Sequence, residues 1–130
     1  MSQMSATYVA HHHEMVKLLA ESGCSAMFMG LESINQESLK SVNKQNSVKT
    51  YEELIRRIHD HGIDIHAGFV CGLDHEDVFT FERTAEWINR MGLTGALFRI
   101  LTPYPGTRLF EELRAAGRLL TTDWTCYSGE

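Results

Sequence analysis

Residues 51–71 read YEELIRRIHDHGIDIHAGFVC. Within Tyr51–His61, Leu54, Ile55 and Ile58 recur at helical spacing, so this half predicts an amphipathic helix with one apolar face. Gly62 stands where a left-handed cap ends such a helix, and Ile63–Cys71 continues as a nearly unbroken apolar run. A run of that kind is typical of a parallel strand covered on both faces. The repeating unit is therefore a helix, a glycine and a buried strand.

The unit recurs on either side. Met15–Ser22 ends at Gly23 and leads into Ala26–Leu31. Phe79–Met91, with Phe81, Ala85 and Ile88 at helical spacing, stops at Gly92 and leads into Ala96–Leu101. Gly23, Gly62 and Gly92 lie 39 and 30 residues apart, within the length of one helix, loop and strand. Such repeats with short connections imply right-handed crossovers and a parallel sheet. Gln3–Val9 predicts one further strand. Thr107 is placed to cap a last helix running through Leu109, Phe110 and Leu113 to Gly117, and Asn35–Asn46 reads as a short helix and loop at the carboxyl edge of the sheet. No linker interrupts the chain, so residues 1–130 are expected to form a single α/β domain. A complete eight-unit β/α barrel takes about 250 residues, roughly 31 per unit. The chain could hold about four such units, so a closed barrel of that kind is excluded and a parallel sheet of about four strands is expected.

Composition narrows the functional classes. Hydrophobic residues make up 43% and charged residues 22%, values that exclude wholesale disorder. A net charge of −5 without a basic stripe argues against nucleic acid as a partner. No apolar run is long enough for a membrane span, and no signal pattern opens the chain, so a cytoplasmic location is expected. Cys24, Cys71 and Cys126 lie 47 and 55 residues apart, which is neither a disulfide framework nor a metal motif. The consecutive His11, His12 and His13 do not converge easily from one helix or strand and read as solvated loop residues. No metal ligand set is expected.

In parallel sheets, ligands bind at the carboxyl ends of the strands. Glu32 ends an apolar strand and shares parity with Gly30, so a face with little side-chain bulk leads up to it. Its carboxylate could accept from ribose hydroxyls or an ammonium group; equally, it could cap the following helix or pair with a cation. Gly68 and Gly72 either let a ligand come close or serve a bend and a turn. Arg99 sits mid-strand between Phe98 and Ile100, where an unpaired charge is costly. It either lines a polar cavity and meets an anion, the preferred reading, or forms an internal ion pair, with Glu32 as one candidate. No residue stands out as a catalytic nucleophile, acid or base.

Taken in order, Glu21–Cys24, Gly30–Ser33, Gly72–Asp74 and Pro103–Thr107 resemble the second half of a radical S-adenosylmethionine (radical SAM) domain. Gly117–Leu119, followed by Asp123–Trp124 and Tyr127, is similar to the cobalamin-binding branch, which includes magnesium-protoporphyrin ester oxidative cyclases, methylases and lipid-modifying enzymes. The resemblance spans about Met4 to Tyr127. It implies a partial, TIM-like β/α barrel of six units, of which this chain supplies about four parallel strands, the third through the sixth, with helices on the outer face. It also implies an upstream Cys-x3-Cys-x2-Cys loop whose 4Fe–4S cluster cleaves S-adenosylmethionine to a 5′-deoxyadenosyl radical. By the same resemblance, Glu32 and the adjoining Ser33 meet the ribose or amino group of the cofactor, and Lys44 lies toward its methionyl carboxylate. Gly68, Phe69 and Val70 offer backbone beside the adenine, and Arg99 is assigned to the substrate. This stretch alone is expected to be inactive and to bind neither cluster nor cofactor, with cobalamin a further cofactor of the parent. A β/α-barrel lyase or aldolase half and a non-catalytic scaffold are the rival readings. Open strand edges and a bare inner face (Phe28, Val70, Leu97 and Leu101 on one choice of parity) predict self-association.

Overall fold

The computed structural model describes residues 1–41 and 47–127. Its elements run β1 (Ser2–Gln3), α1 (Ala6–His11), α2 (His13–Glu21), β2 (Ala26–Glu32), α3 (Gln36–Ser41), α4 (Val48–Asp60), β3 (Asp64–Cys71), α5 (Thr80–Met91), β4 (Gly95–Ile100) and α6 (Arg108–Ala115), with a closing 3-10 turn at Trp124–Cys126. Lys44 lies outside the described residues. The strands form one sheet in the order β1-β2-β3-β4, and every neighbouring pair is parallel. No helix is long and apolar enough to cross a membrane among the described residues.

The glycine punctuation works as the spacing predicts. Gly23, Gly62 and Gly92 take φ of 83°, 71° and 67°, and the amides of Cys24, Ile63 and Leu93 reach back to Leu19, Ile58 and Ile88. This is the left-handed cap that turns each helix into the following strand. At the opposite ends, Ser47 Oγ accepts from the Thr50 amide at 3.1 Å and Thr107 Oγ1 accepts from the Phe110 amide at 3.3 Å, capping α4 and α6.

Strand parity separates two faces. Met27, Met29 and Leu31 of β2 and Ile65, Ala67 and Phe69 of β3 pack against Val9, Val16, Leu54, Ile55, Ile58 and Trp87 from the helices. Each such side chain contributes about 1.5–3 kcal/mol by leaving water. Helices α4 and α5 are also tied together, because Glu52 Oε1 accepts from Trp87 Nε1 at 3.0 Å and from Arg90 Nη2 at 3.1 Å. The alternate residues of the strands face away from the helices and form the concave side.

Four expectations need correction. The strand predicted at Gln3–Val9 is confined to Ser2–Gln3, and Ala6–His11 is helical because Ala6 and Val9 meet the core at a helical interval of three. In α5 the buried face is Thr80, Thr84, Trp87 and Met91, one residue out of phase with the predicted set, and Phe81 is 60% exposed. The outer face of β4 is not covered, since Phe98 and Ile100 stay 42% and 66% exposed. Leu101 follows β4 and lines a hollow with Pro103, Leu113 and Tyr127, away from the concave face.

Candidate functional site

The concave face is built in rows by the strand register. Phe28, His66 and Gly95 are paired across β2, β3 and β4, and the next row is Gly30, Gly68 and Leu97. Val70 pairs with Arg99 in the row above, beside Glu32. Together with Gln3, Met4 and Ser5, these two upper rows and Phe28 line an open hollow of about 660 Å³. Gly30 and Gly68 lie side by side in its floor, and the space that side chains there would fill is taken by the Glu32 carboxylate and the tip of the Phe28 ring.

Glu32 enters this hollow by an unusual route. Its φ is +69°, and the Ser33 amide donates to the Leu31 carbonyl at 2.9 Å, which makes Glu32 the centre of a γ-turn of the rare, strained sense. The β2–β3 register shifts at this point, with Gly30 opposite Gly68 but Glu32 opposite Phe69. A non-glycine residue held in this region costs of order 1–3 kcal/mol, and such outliers cluster at ligand sites. The turn sends the carboxylate back over Gly30, with Oε1 only 2.7 Å from where a Cβ on Gly30 would stand.

Ser33 is 3% exposed and faces inward to the loops. Its hydroxyl donates to Glu76 Oε1 at 3.3 Å and accepts from the Asn35 amide at 3.1 Å. The other Glu76 oxygen accepts from the Gly72 and Leu73 amides at 2.9 and 3.3 Å, and Asn35 Nδ2 donates to the His75 carbonyl at 2.8 Å. The loops after β2 and β3 are thereby joined. Glu76 also raises the pKa of the Cys71 thiol, second to the effect of burial.

Gly68, Val70 and Arg99 line the hollow with Glu32. Phe69 is 3% exposed and belongs to the helix-covered face, where its ring meets Trp87 edge-on at 6.4 Å and stacks on Phe98 at 5.4 Å. At this position a ligand meets backbone. Arg99 is exposed and, among the described residues, its side chain makes no ion pair or hydrogen bond, so the pairing with Glu32 considered above is not made. Two participants escaped the sequence reading. Glu76 carried one signal, a carboxylate four residues after the turn glycine Gly72. The other, Tyr51, is fully buried; its hydroxyl has no partner among the described residues, and its pKa is pushed up to about 12 by burial and by the Glu32 charge.

The donor chemistry suits an organic, hydroxyl- and ammonium-bearing cofactor better than a metal. A carboxylate over a glycine floor accepts hydrogen bonds, and the neighbouring guanidinium takes an anion. The cysteines do not gather: Cys24 precedes the start of β2, whereas Cys71 ends β3 at the opposite edge of the sheet. No group of three or more His, Cys, Asp or Glu among the described residues could hold a metal ion, so these residues do not fit an iron–sulfur cluster.

Known proteins resemble this chain in sequence and in fold. The chain is 36% identical over 115 residues to bacteriochlorophyllide d C-12(1)-methyltransferase of Chlorobaculum tepidum, covering 88% of this chain and 25% of the relative. It is 32% identical over 108 residues to the anaerobic magnesium-protoporphyrin IX monomethyl ester cyclase of Cereibacter sphaeroides, covering 83% and 18%. The chain thus spans about a quarter or less of the length of these relatives. The fold matches that of Elp3 from Methanocaldococcus infernus with a TM-score of 0.71 at 17% identity, over 90% of this chain and 28% of that one. The model of the radical SAM superfamily matches residues 3–88, and the chain belongs to that superfamily.

Proposed function

We propose that this chain is the carboxyl-terminal part of a radical SAM barrel that modifies an organic small molecule, with a tetrapyrrole the best-supported substrate class. The observation that carries the reading is the strained Glu32 turn aimed into a glycine-floored hollow. Two relatives named for tetrapyrrole substrates, a bacteriochlorophyllide methyltransferase and a magnesium-protoporphyrin ester cyclase, support the substrate class.

In this reading Glu32 accepts hydrogen bonds from the ribose hydroxyls or the amino group of S-adenosylmethionine. The backbone of Gly68, Phe69 and Val70 is assigned to the adenine, beside the Phe28 ring that lies over Gly68. Ser33 acts from behind through the loop network, and the family resemblance assigns Lys44 to the methionyl carboxylate. Arg99 receives an anionic group of the substrate at the far wall, where Leu97 and Phe28 supply apolar cover. S-adenosylmethionine supplies, when bound and reductively cleaved, a 5′-deoxyadenosyl radical. The cluster that the family requires is held by the remainder of the parent protein, as is cobalamin. The stretch alone is inactive, associates through its open edges, and belongs to a cytoplasmic enzyme.

The test is anaerobic cluster reconstitution of the parent, followed by chromatography for 5′-deoxyadenosine with and without magnesium porphyrins. Cleavage that is stimulated by a porphyrin supports the reading. A reconstituted protein that cleaves no S-adenosylmethionine overturns it.

A further inference from the structure

A regular strand would carry the side chains of residues 30 and 32 roughly 6.6 Å apart and parallel, since each residue rises about 3.3 Å. Here a Glu32 carboxylate oxygen occupies the space beside Gly30 that any Cβ would fill, at 2.7 Å. This requires three things at once: a left-handed φ at Glu32, no side chain at residue 30, and a fixed chain direction immediately after the turn. Each has an identifiable source. The φ of +69° is closed by the Ser33 amide on the Leu31 carbonyl, and Gly30 provides the space. The chain direction is set by Ser33, which is 3% exposed and donates to Glu76 Oε1 at 3.3 Å. Glu76 is itself fixed by the Gly72 and Leu73 amides at the end of β3.

We infer that Gly30, Ser33 and Glu76 are positioning residues that hold the Glu32 carboxylate folded back across the concave face. The inference rests on the reading of Glu32 as a cofactor ligand for its functional meaning, but the device is a property of the apoprotein. Without the Glu76 anchor, the turn at Glu32 is free to relax into an ordinary extended strand end. The carboxylate then points up and away from the glycine floor. A methyl group on residue 30 evicts it directly.

Two measurements test this independently. The first is a thermal double-mutant cycle on the chain without any ligand. Glycine tolerates positive φ at no steric cost, so Glu32→Gly melts at a higher temperature than Glu32→Ala. That gap shrinks in a Glu76→Ala background, where Ser33 and the Gly72 and Leu73 amides lose their shared partner and the turn is released. Equal melting temperatures, or a gap untouched by Glu76→Ala, overturn the inference.

The second measurement is the dissociation constant of S-adenosylmethionine for the reconstituted parent. Gly30→Ala and Glu76→Ala are each expected to weaken binding about tenfold, the loss typical of a displaced charge-assisted hydrogen bond. Gly30→Ala does so with an unchanged melting temperature, which a merely structural role would not produce. If Glu32→Gln weakens binding while Gly30→Ala and Glu76→Ala bind as the wild type does, the positioning device is wrong and the ligand role of Glu32 survives. If the melting cycle couples and Glu32→Gln binds normally, the device stands and the cofactor reading of Glu32 falls.

Discussion

Arg118 grips Asp74 with both terminal nitrogens, Nη2 to Oδ1 at 2.7 Å and Nη1 to Oδ2 at 3.4 Å. The pair joins the loop after β3 to the segment beyond α6, 44 residues later. Asp74 is held below its ordinary pKa of 3.8, first by the hydrogen bond from Arg118 and then by its charge. A depressed carboxylate contributes its stabilising effect above the ordinary value and loses it as pH falls through the lower, folded value. Both groups are exposed, so the contribution is small and screened by salt. The expected result in an NMR titration of the Asp74 carboxyl carbon is a midpoint below 3.8 that Arg118→Gln returns to the ordinary range. An unchanged midpoint in that variant would show that the grip is not made in solution.

Tyr51 is raised to about 12, chiefly by burial and secondarily by the Glu32 charge. A raised phenol favours the neutral form, so its contribution to stability is complete below the ordinary value of about 10 and is lost as pH rises toward the folded value. Of the 4 tyrosines, Tyr51 is expected to ionise last in an ultraviolet titration, together with alkaline unfolding. Tyr51→Phe removes a buried hydroxyl that has no partner among the described residues. That variant is expected to be as stable as the parent or more so, and to resist alkali better.

The Glu52 carboxylate holds α4 to α5 through the Trp87 indole and the Arg90 guanidinium. Glu52→Ala leaves the largely buried Trp87 N–H without its acceptor and is expected to cost about 1–3 kcal/mol in urea unfolding. An exposed ion pair alone would cost about 0–1 kcal/mol. A loss within that smaller range would mean that water replaces the carboxylate on the indole.

These features differ in how legible they were. The helix–glycine–strand unit could be read because its signals are local: Leu54, Ile55 and Ile58 share a face, and Gly62 closes it within one turn. The N-terminal segment could not, because Ala6 and Val9 suit a short helix as well as a strand. Phe81 misled because its apolarity outweighed Thr80 and Thr84, which are buried despite their hydroxyls; Thr84 Oγ1 donates to the Thr80 carbonyl at 2.7 Å. Glu32 was assigned to the strand-end face by its parity with Gly30 and Arg99 by the cost of burying an unpaired charge, and both line the hollow. The γ-turn at Glu32 has no compositional signature, since positive φ is marked in sequence by glycine. Ser33 and Glu76, 43 residues apart, meet only through the register of β2 and β3.

The bare outer face of β4 yields a further prediction. Phe98 and Ile100 are exposed beside an unpaired strand edge, an arrangement that invites pairing with another chain. Light scattering at micromolar concentration is expected to show dimers or larger species. Ile100→Lys, which places a charge on this edge strand, shifts them toward monomer. A monomeric parent chain would exclude β4 as a contact surface.

The most direct test of the central claim is calorimetric titration of the reconstituted parent with S-adenosylmethionine, comparing wild type with Glu32→Gln. Removing the charge while keeping the side-chain shape is expected to weaken binding about tenfold or more, the range for a hydrogen bond to a charged group. The same affinity in both proteins would contradict the account, because the strained carboxylate over the glycine floor would then have no part in holding the cofactor.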